Sequence, residues 1–594
     1  MEVFQIDQIQ KDDLAIQIGL KWYEADTARN EWKQQKQELR NYVVATDTKK
    51  TANSKLPWRH TTTIPKLTQI RDNLHAQYMS ALFPNDEWLR WEAYSKDGLN
   101  KDKKQAIQFY MRNKLRRTDF QKLVSELLYD YIDFGNVYVA ADYIRHVRPA
   151  DKTVPGSLPQ IMFQGPKARR ISPYDIVFDP TNTDFYAGWV ITREIKTLGD
   201  MKKEVSRKTG TERRTAEKAF KRVLENRRAI SGSWNTSDFD SKIGISVDGF
   251  GTYSQYLQSD YCEILTFRGD WFNKETGELH EDRVITVLDR AILISDVQNE
   301  TWNGNKGVVH GTWRGRSDTL IGMGPLDNIV GMQYKIDHLE NIKADMFDLI
   351  AMPPIKLRGA VENFSWEPLA EIHLGEDADV EMLSIDPKAL QAETQISILE
   401  QKMEEFAGAP RQAVGQRTPG EKTAFEIQVL EQNSSKMFQE KIQRFEVNVL
   451  EPLLNMMLES ARRNIEAVDL ISTMDDDFGT QNFITITRED LSIEGKIVPI
   501  GARHFLQRNL AIQNYIGLRN AIAADPTVMA HISGKAEARM FEDLLGLEKY
   551  DLVRENVRVE EAMETAKLQQ EGMAMLQEQA ATPATDMERE VRYG

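Results

Sequence analysis

Apolar positions along the chain recur with two periods, one helical and one extended. Between residues 10 and 45, Leu14, Ile18, Leu20 and Trp22 precede a stretch rich in Glu, Lys, Arg and Gln, which predicts one helix. Leu67, Ile70, Leu74, Met79 and Leu82 form the stripe of a second, stopped by Pro84 ahead of Trp88 and Trp91. Phe120, Val124, Leu127, Leu128 and Tyr131 complete a third over 102–132. After Gly135 and Asn136 the period falls to two: Val137, Val139, Ala141 and Tyr143 alternate as a strand, with a partner at 160–165.

Further strands are predicted at 175–178 and 189–195, then a charged helix over 199–229 and a Gly- and Ser-rich insertion at 231–259. Strands resume in CEILTFRGDWFN and RVITVLDRAILISD, whose alternation predicts a sheet with one solvated side. From Pro325, Ile329, Met332, Ile336, Leu339, Ile342, Met346 and Leu349 mark one amphipathic helix, roughly 42 Å long. Pro353 and Pro354 end it. A short non-helical module spans 353–386, and Pro387 opens a helix through Ile396, Leu399, Met403 and Phe406. The loop GAPRQAVGQRTPG follows, then a helix over 421–463 with Pro452 inside its pattern, where a kink is predicted. Residues 483–500 alternate as a strand. The remainder reads as helices at 501–524 and 534–546 and a polar tail whose last dozen residues read as disordered.

At 594 residues and 68.3 kDa the chain is too long for one core, so three or four modules are expected. Its net charge of −15 argues against wrapping nucleic acid over the whole surface, because such binding rests on phosphate neutralisation by Lys and Arg. The lone Cys262 excludes an internal disulfide framework and a Cys-based zinc site. No secretory signal and no run of about 18 apolar residues is present, so no membrane span is expected.

Enzymatic signatures are missing from the sequence. It contains no G-x-x-x-x-G-K-[ST] phosphate loop, no G-x-S-x-G elbow and no G-x-G-x-x-G after a strand. Asp475, Asp476 and Asp477 are hard oxygen ligands in principle, as are Glu376, Asp377, Asp379 and Glu381, but base rates favour solvated turns for both groups. Trp88 and Trp91 fit packing better than base stacking. No catalytic residue, metal or cofactor is expected.

The order of elements carries the functional signal. Phe134-Gly135-Asn136 precedes a strand, and Ser172-Pro173-Tyr174-Asp175 opens another. Residues 408–428 join loop to helix, and Leu450-Glu451-Pro452-Leu453-Leu454 sits in the long helix. In this order and spacing, over nearly its whole length, the chain resembles the portal proteins, or head-to-tail connectors, of tailed bacteriophages, most closely those of short-tailed phages. The resemblance implies an α+β, predominantly helical subunit with wing, stem, clip and crown regions. Such subunits assemble into a ring, usually of twelve, around a DNA channel at a unique capsid vertex of the virion, having been made in the host cytoplasm. It implies a wing over 1–324, stem helices over 325–352 and 387–407 and a clip over 353–386. A tunnel loop would occupy 408–420, a long wing helix and strand region 421–504, a crown 505–570 and a flexible tail 571–594. The partners implied are further copies of the chain, double-stranded DNA, the terminase large subunit, head-tail adaptor or tail proteins, scaffold and major capsid protein, with no membrane.

Candidate contacts follow from that frame. Arg411, Gln412, Gln416, Arg417 and Lys422 of the tunnel loop would face passing DNA. Lys335, Asp337, Glu340, Lys343 and Asp345 on the first stem helix would pair between subunits, and Lys356, Arg358 and Trp366 would belong to the clip surface. An acidic channel background would let DNA slide where strong binding would stall it. Two alternatives stand beside this reading: an internal virion or ejection protein, and a metal-dependent nuclease using Asp475–Asp477.

Overall fold

The computed structural model describes residues 12–44, 60–84, 88–94, 101–148, 160–207, 210–231, 260–272, 277–290, 292–301, 305–359, 361–362, 373–374, 377, 379–383, 392–407, 438–465, 468–474, 481–491 and 494–501, with 538, 540, 566 and 567 beyond them. Contacts divide the chain into two units, Met1–Ala502 and Arg503–Gly594. All elements described below belong to the first unit. The helices predicted after 501, the crown and the tail lie outside the described residues apart from those four positions, which are helical.

The first predicted helix is two, α1 (Asp12–Ala28) and α2 (Asn30–Val44), parted at Arg29. The Arg29 guanidinium donates to the carbonyls of Pro173 at 3.2 Å and Tyr174 at 3.5 Å, and pairs with Asp26 at 3.1 Å. The Ser172–Asp175 turn is thus docked on the joint, and Asp175 in turn accepts from Arg193. Helix α3 (Lys66–Leu82) runs as predicted, and strand β1 (Leu89–Ala93) follows with Trp88 and Trp91 buried beside it. The third predicted helix is also two, α4 (Lys101–Arg117) and α5 (Phe120–Asp133). Between them Asp119 takes φ +51°, a left-handed conformation that short polar side chains tolerate and a helix cannot propagate through.

Two sheets make the β-rich module. Strands β2 (Asn136–Arg148) and β3 (Gln160–Ile171) form an antiparallel pair. Next come β4 (Ile176–Phe178), β5 (Val190–Thr197), helices α6 (Leu198–Arg207) and α7 (Gly210–Ser231), and strands β6 (Tyr261–Phe272), β7 (Leu279–Leu288), β8 (Ile292–Gln298) and β9 (Val308–Thr312). Strand β9 joins β2 to give the order β3-β2-β9, while β4 to β8 form an antiparallel five-stranded sheet in sequence order. The predicted insertion beyond 231 falls outside the described residues.

The expectation of one solvated sheet face is overturned. Cys262 and Ile264 of β6 pack with Met201, Val205, Phe220 and Val223 of α6 and α7. Leu265 and Phe267, on the opposite face of the same strand, pack with Ala15, Ile18 and Trp22 of α1. Both faces are covered even though charged groups lie among them, because these bury in pairs: Glu263 of β6 is bound by Arg290 at 2.7 Å, beside Asp289 held by Arg227 at 2.6 Å. Ion pairs read as surface in a sequence pattern, yet these four side chains are all buried.

The predicted stem helix begins five residues later than Pro325, as α8 (Val330–Ala351), after a series of turns. Strands β10 (Ile355–Arg358), β11 (Val361–Glu362), β12 (His373–Leu374) and β13 (Asp379–Met382) follow, then α9 (Ala392–Ala407). Residues 438–445 are helical, Glu446–Leu450 form a π turn, and α10 (Glu451–Asn464) continues. Pro452 has no N–H to offer the turn before it, so the helix widens there, with the N–H of Glu451 reaching back to the carbonyl of Glu446. Strands β14 (Val468–Met474) and β15 (Gln481–Thr487) pair with each other. A single helical turn, α11 (Arg488–Leu491), separates β15 from β16 (Gly495–Pro499), which pairs with β1. The single strand predicted over 483–500 is therefore two strands in different sheets.

The largest core gathers α3, α5, the α10 region and one face of β2 and β9, with Tyr78, Tyr131, Phe445, Leu453 and Leu454 at or near zero exposure. Phe134-Gly135-Asn136 locks this core to the segment leading into α8. Gly135 sits at φ +69°, and a Cβ there would lie 2.2 Å from the Met323 carbonyl carbon. Asn136 is buried, its Nδ2 donating to the carbonyl of Gly322 at 3.1 Å and its Oδ1 accepting the Gly322 N–H at 2.9 Å.

Candidate functional site: a helical arm and its clamp

Helix α8 leaves the core as it runs. Its buried residues, Gln333, Ile336, Asp337 and Asn341, all lie within its first twelve. At 1.5 Å per residue it is about 33 Å long, so the part beyond Asn341 extends roughly 15 Å without burying a side chain. Helix α9 returns alongside it. Lys66, next to the start of α8, pairs with Glu404 at 2.7 Å, while Lys343 farther out pairs with Glu393 at 2.6 Å, so the two helices are antiparallel.

An extended segment, residues 60–65, lies along α8 between Gln333 and Asp345 and is read through its backbone. Asp345 Oδ1 accepts the N–H of His60 at 3.0 Å, Asn341 Oδ1 that of Thr62 at 3.0 Å, Asp337 Oδ1 that of Ile64 at 3.0 Å and Gln333 Oε1 that of Leu67 at 3.3 Å. The two amides also return a bond: Gln333 Nε2 donates to the carbonyl of Ile64 at 2.6 Å and Asn341 Nδ2 to that of Thr62 at 3.1 Å. Helix positions four apart rise about 6.0 Å, and extended positions two apart about 6.6 Å, which lets one ladder match the other. His60 adds a side-chain bond, Nδ1 to Asp345 at 2.6 Å.

This ladder engages part of the predicted subunit contact within the chain. Asp337 has 0% exposure, and both donors it receives, Ile64 and Gln333, belong to its own chain. Asp345 is likewise bound to His60 of the same chain. Glu340 pairs with Lys343 at 2.9 Å, and those bonds with Glu340 and Glu393 hold the Lys343 ammonium above its ordinary pKa. Lys335 is exposed. A polar stripe on a helix reads as solvent-facing, whereas here the strap covers it and needs acceptors, not apolar groups.

Burial pushes the Asp337 carboxyl up to about 7, against the pull of the Ile64 N–H and the Gln333 amide. Asp130, in α5, is raised to about 6 by burial despite its bonds to Arg170 at 2.6 and 2.7 Å.

At the outer end, β10 and β13 form a two-stranded hairpin in the register Ile355↔Met382, Lys356↔Glu381, Leu357↔Val380 and Arg358↔Asp379. Period-two alternation sorts its side chains. Lys356, Arg358, Asp379 and Glu381 share one face, with Lys356 on Glu381 at 3.1 Å, and Ile355, Leu357, Val380 and Met382 share the other. That apolar face is open: Leu357 is 48% and Met382 58% exposed, and Met352 at the root of β10 is 71% exposed. Phe347, Ile350 and Ile398 on the helices below are also exposed. Of the acidic group Glu376 to Glu381, the described members Asp377, Asp379 and Glu381 sit at this hairpin.

No protein-family model matches the chain, and no curated relative is found for it. Among the described residues no group of His, Cys, Asp and Glu is placed to hold a metal ion, and no helix is long and apolar enough to cross a membrane. Arg411, Gln412, Gln416, Arg417 and Lys422, together with Trp366 and Asp475–Asp477, lie outside the described residues. The residues that sequence reading missed are Gln333 and Asn341. Their signal was present: 333, 337, 341 and 345 are four polar acceptors at a strict spacing of four, running beside the apolar stripe.

Proposed function

We propose that this chain is a subunit of a tailed-bacteriophage portal, a ring at one capsid vertex through which DNA is packaged and later ejected. In this reading α8 and α9 are the stem, and residues 353–386 are the clip that meets the packaging motor and then the tail adaptor. The loop at 408–420 carries Arg411 and Arg417 toward passing phosphates, and the ring multiplies the acidic background of −15 per chain. The protein has no enzymatic role of its own.

The observation that carries the reading is the open apolar face of the β10–β13 hairpin on an arm that stops burying side chains halfway. A two-stranded hairpin is marginal in water on its own, and an amphipathic one needs a cover for its apolar side. Identical neighbours in a head-to-tail ring supply that cover for every copy at once, because a heterologous contact closes when its rotation divides a circle. The resemblance in element order supports reading this arm as a stem and clip.

Native mass spectrometry with negative-stain class averages tests the proposal. Closed rings of about twelve copies with a central hole are expected. A chain that stays monomeric at high concentration and with scaffold protein, and that cleaves DNA with a divalent metal, would overturn it.

A further inference from the structure

The strap at residues 60–67 is held by four rungs, and one of them is chemically unlike the others. Gln333 and Asn341 are amides and cannot change charge. Asp345 is partly exposed, with His60 against it. Asp337 is fully enclosed; its Oδ1 receives two donors, and its Oδ2 has no hydrogen-bond partner. The neighbouring Thr63 hydroxyl is buried and also without a partner. An enclosed carboxylate with a bare oxygen and no cation is costly, and the smallest occupant that removes the cost is a proton on that oxygen.

Several charged groups on the elements packed against α8 are engaged elsewhere, and no charged group acts on the Asp337 carboxyl strongly enough to offset its burial. Lys66 of α3 is on Glu404 of α9, Arg71 of α3 on Asp133, and Lys36 of α2 on Asp327. On α8 itself Lys343 is on Glu340 and Glu393, Lys335 is exposed, and His338 stacks on Tyr334 with ring planes 8° apart. On the strap, His60 lies against Asp345 and Asp348.

We propose that Asp337 is a proton-binding switch in the clamp, a neutral acid while the strap is seated, whose ionisation favours release of residues 60–67 from the base of the arm. The inference is independent of the portal reading, since every group it uses lies within one chain. The direction of its pH dependence follows from burial. The seated carboxyl holds its proton up to about 7, whereas a released one gives it up near the ordinary 3.8. The clamp is therefore tightest below pH 4, loosens by nearly tenfold per pH unit as pH rises toward neutrality, and flattens above about 7.

Hydrogen–deuterium exchange of the full chain from pH 5 to pH 8, corrected for intrinsic amide chemistry, reads this directly. In the wild type, the peptide spanning 60–67 is expected to lose about fiftyfold in protection between pH 5 and pH 7 and about twofold or less above that. In Asp337→Asn, which keeps the Oδ1 acceptor and cannot ionise, the slope should fall to whatever His60, the strap's other ionisable side chain, contributes, and in Asp337→Asn with His60→Gln it should be flat. Equal slopes in the wild type and the variant would overturn the proposal. Should the variant fail to fold, His60→Gln decides, because it removes the strap's other ionisable side chain: a slope that persists at 60–67 and is absent from a β6–β7 peptide supports the switch, and its loss, or the same slope in both peptides, overturns it.

Discussion

The five-stranded sheet and the β10–β13 hairpin are built from similar residues and end in opposite states. In the sheet, β6 buries both of its faces, one under α1 and the other under α6 and α7, and even its charged neighbours are enclosed in pairs. In the hairpin, the charged face is exposed, and on the apolar face Leu357 and Met382 are exposed as well, with Ile355 and Val380 half-buried. The difference teaches where one chain is self-sufficient. The body can be specified by its own side chains, while the arm leaves apolar side chains uncovered, which in the proposed reading a neighbouring copy would cover.

Breaking the body should cost most. Gly135→Ala places a Cβ 2.2 Å from the Met323 carbonyl carbon at a left-handed φ, and a loss of about 3 kcal/mol or more is expected by chemical denaturation. Asn136→Ala leaves the Gly322 N–H without its acceptor and the carbonyl without its donor, with an expected loss of about 2 kcal/mol in the same assay.

The arm should behave in the opposite way. Leu357→Lys together with Met382→Lys is expected to leave the chain's own stability within about 0.5 kcal/mol of wild type while abolishing the rings that the proposed function predicts, read by native mass spectrometry. A stability loss as large as that of Asn136→Ala would mean that the hairpin face is covered within the chain, and the contrast would fail. The smallest effect belongs to Lys356→Ala. Its pair with Glu381 is 60% and 58% exposed, so denaturation should register a change below about 0.5 kcal/mol.

Much of the α+β fold was legible because stripes such as Leu67, Ile70, Leu74 and Leu82, or the alternation after Gly135, report burial directly. What escaped did so for identifiable reasons. The breaks at Arg29 and Asp119 are set by tertiary docking and by one backbone angle, neither of which alters hydrophobic period. Strand β9, VVHGT, is too short to announce itself, and it lies against the π turn only because Gly311 has no Cβ to strike Val449. The charged positions 337 and 345 were legible as a helix face but not as a clamp, because their partners are backbone groups nearly 280 residues away. The arm's exposed face was legible only as part of a stripe; that it lacks a cover is a property of three-dimensional placement.

The ladder on α8 is, in mechanical terms, a vernier. Its two scales advance by about 6.0 Å and 6.6 Å per division, so they slip by about 0.6 Å at each rung. Over the rungs at 337, 341 and 345 the slip reaches about 1.2 Å, which side-chain torsions absorb. At Gln333 the chain has already turned into α3, and the division on that side takes three residues in place of two. A longer strap would drift out of step with its helix, so a clamp of this kind has a natural length, and adding rungs would not make it hold harder.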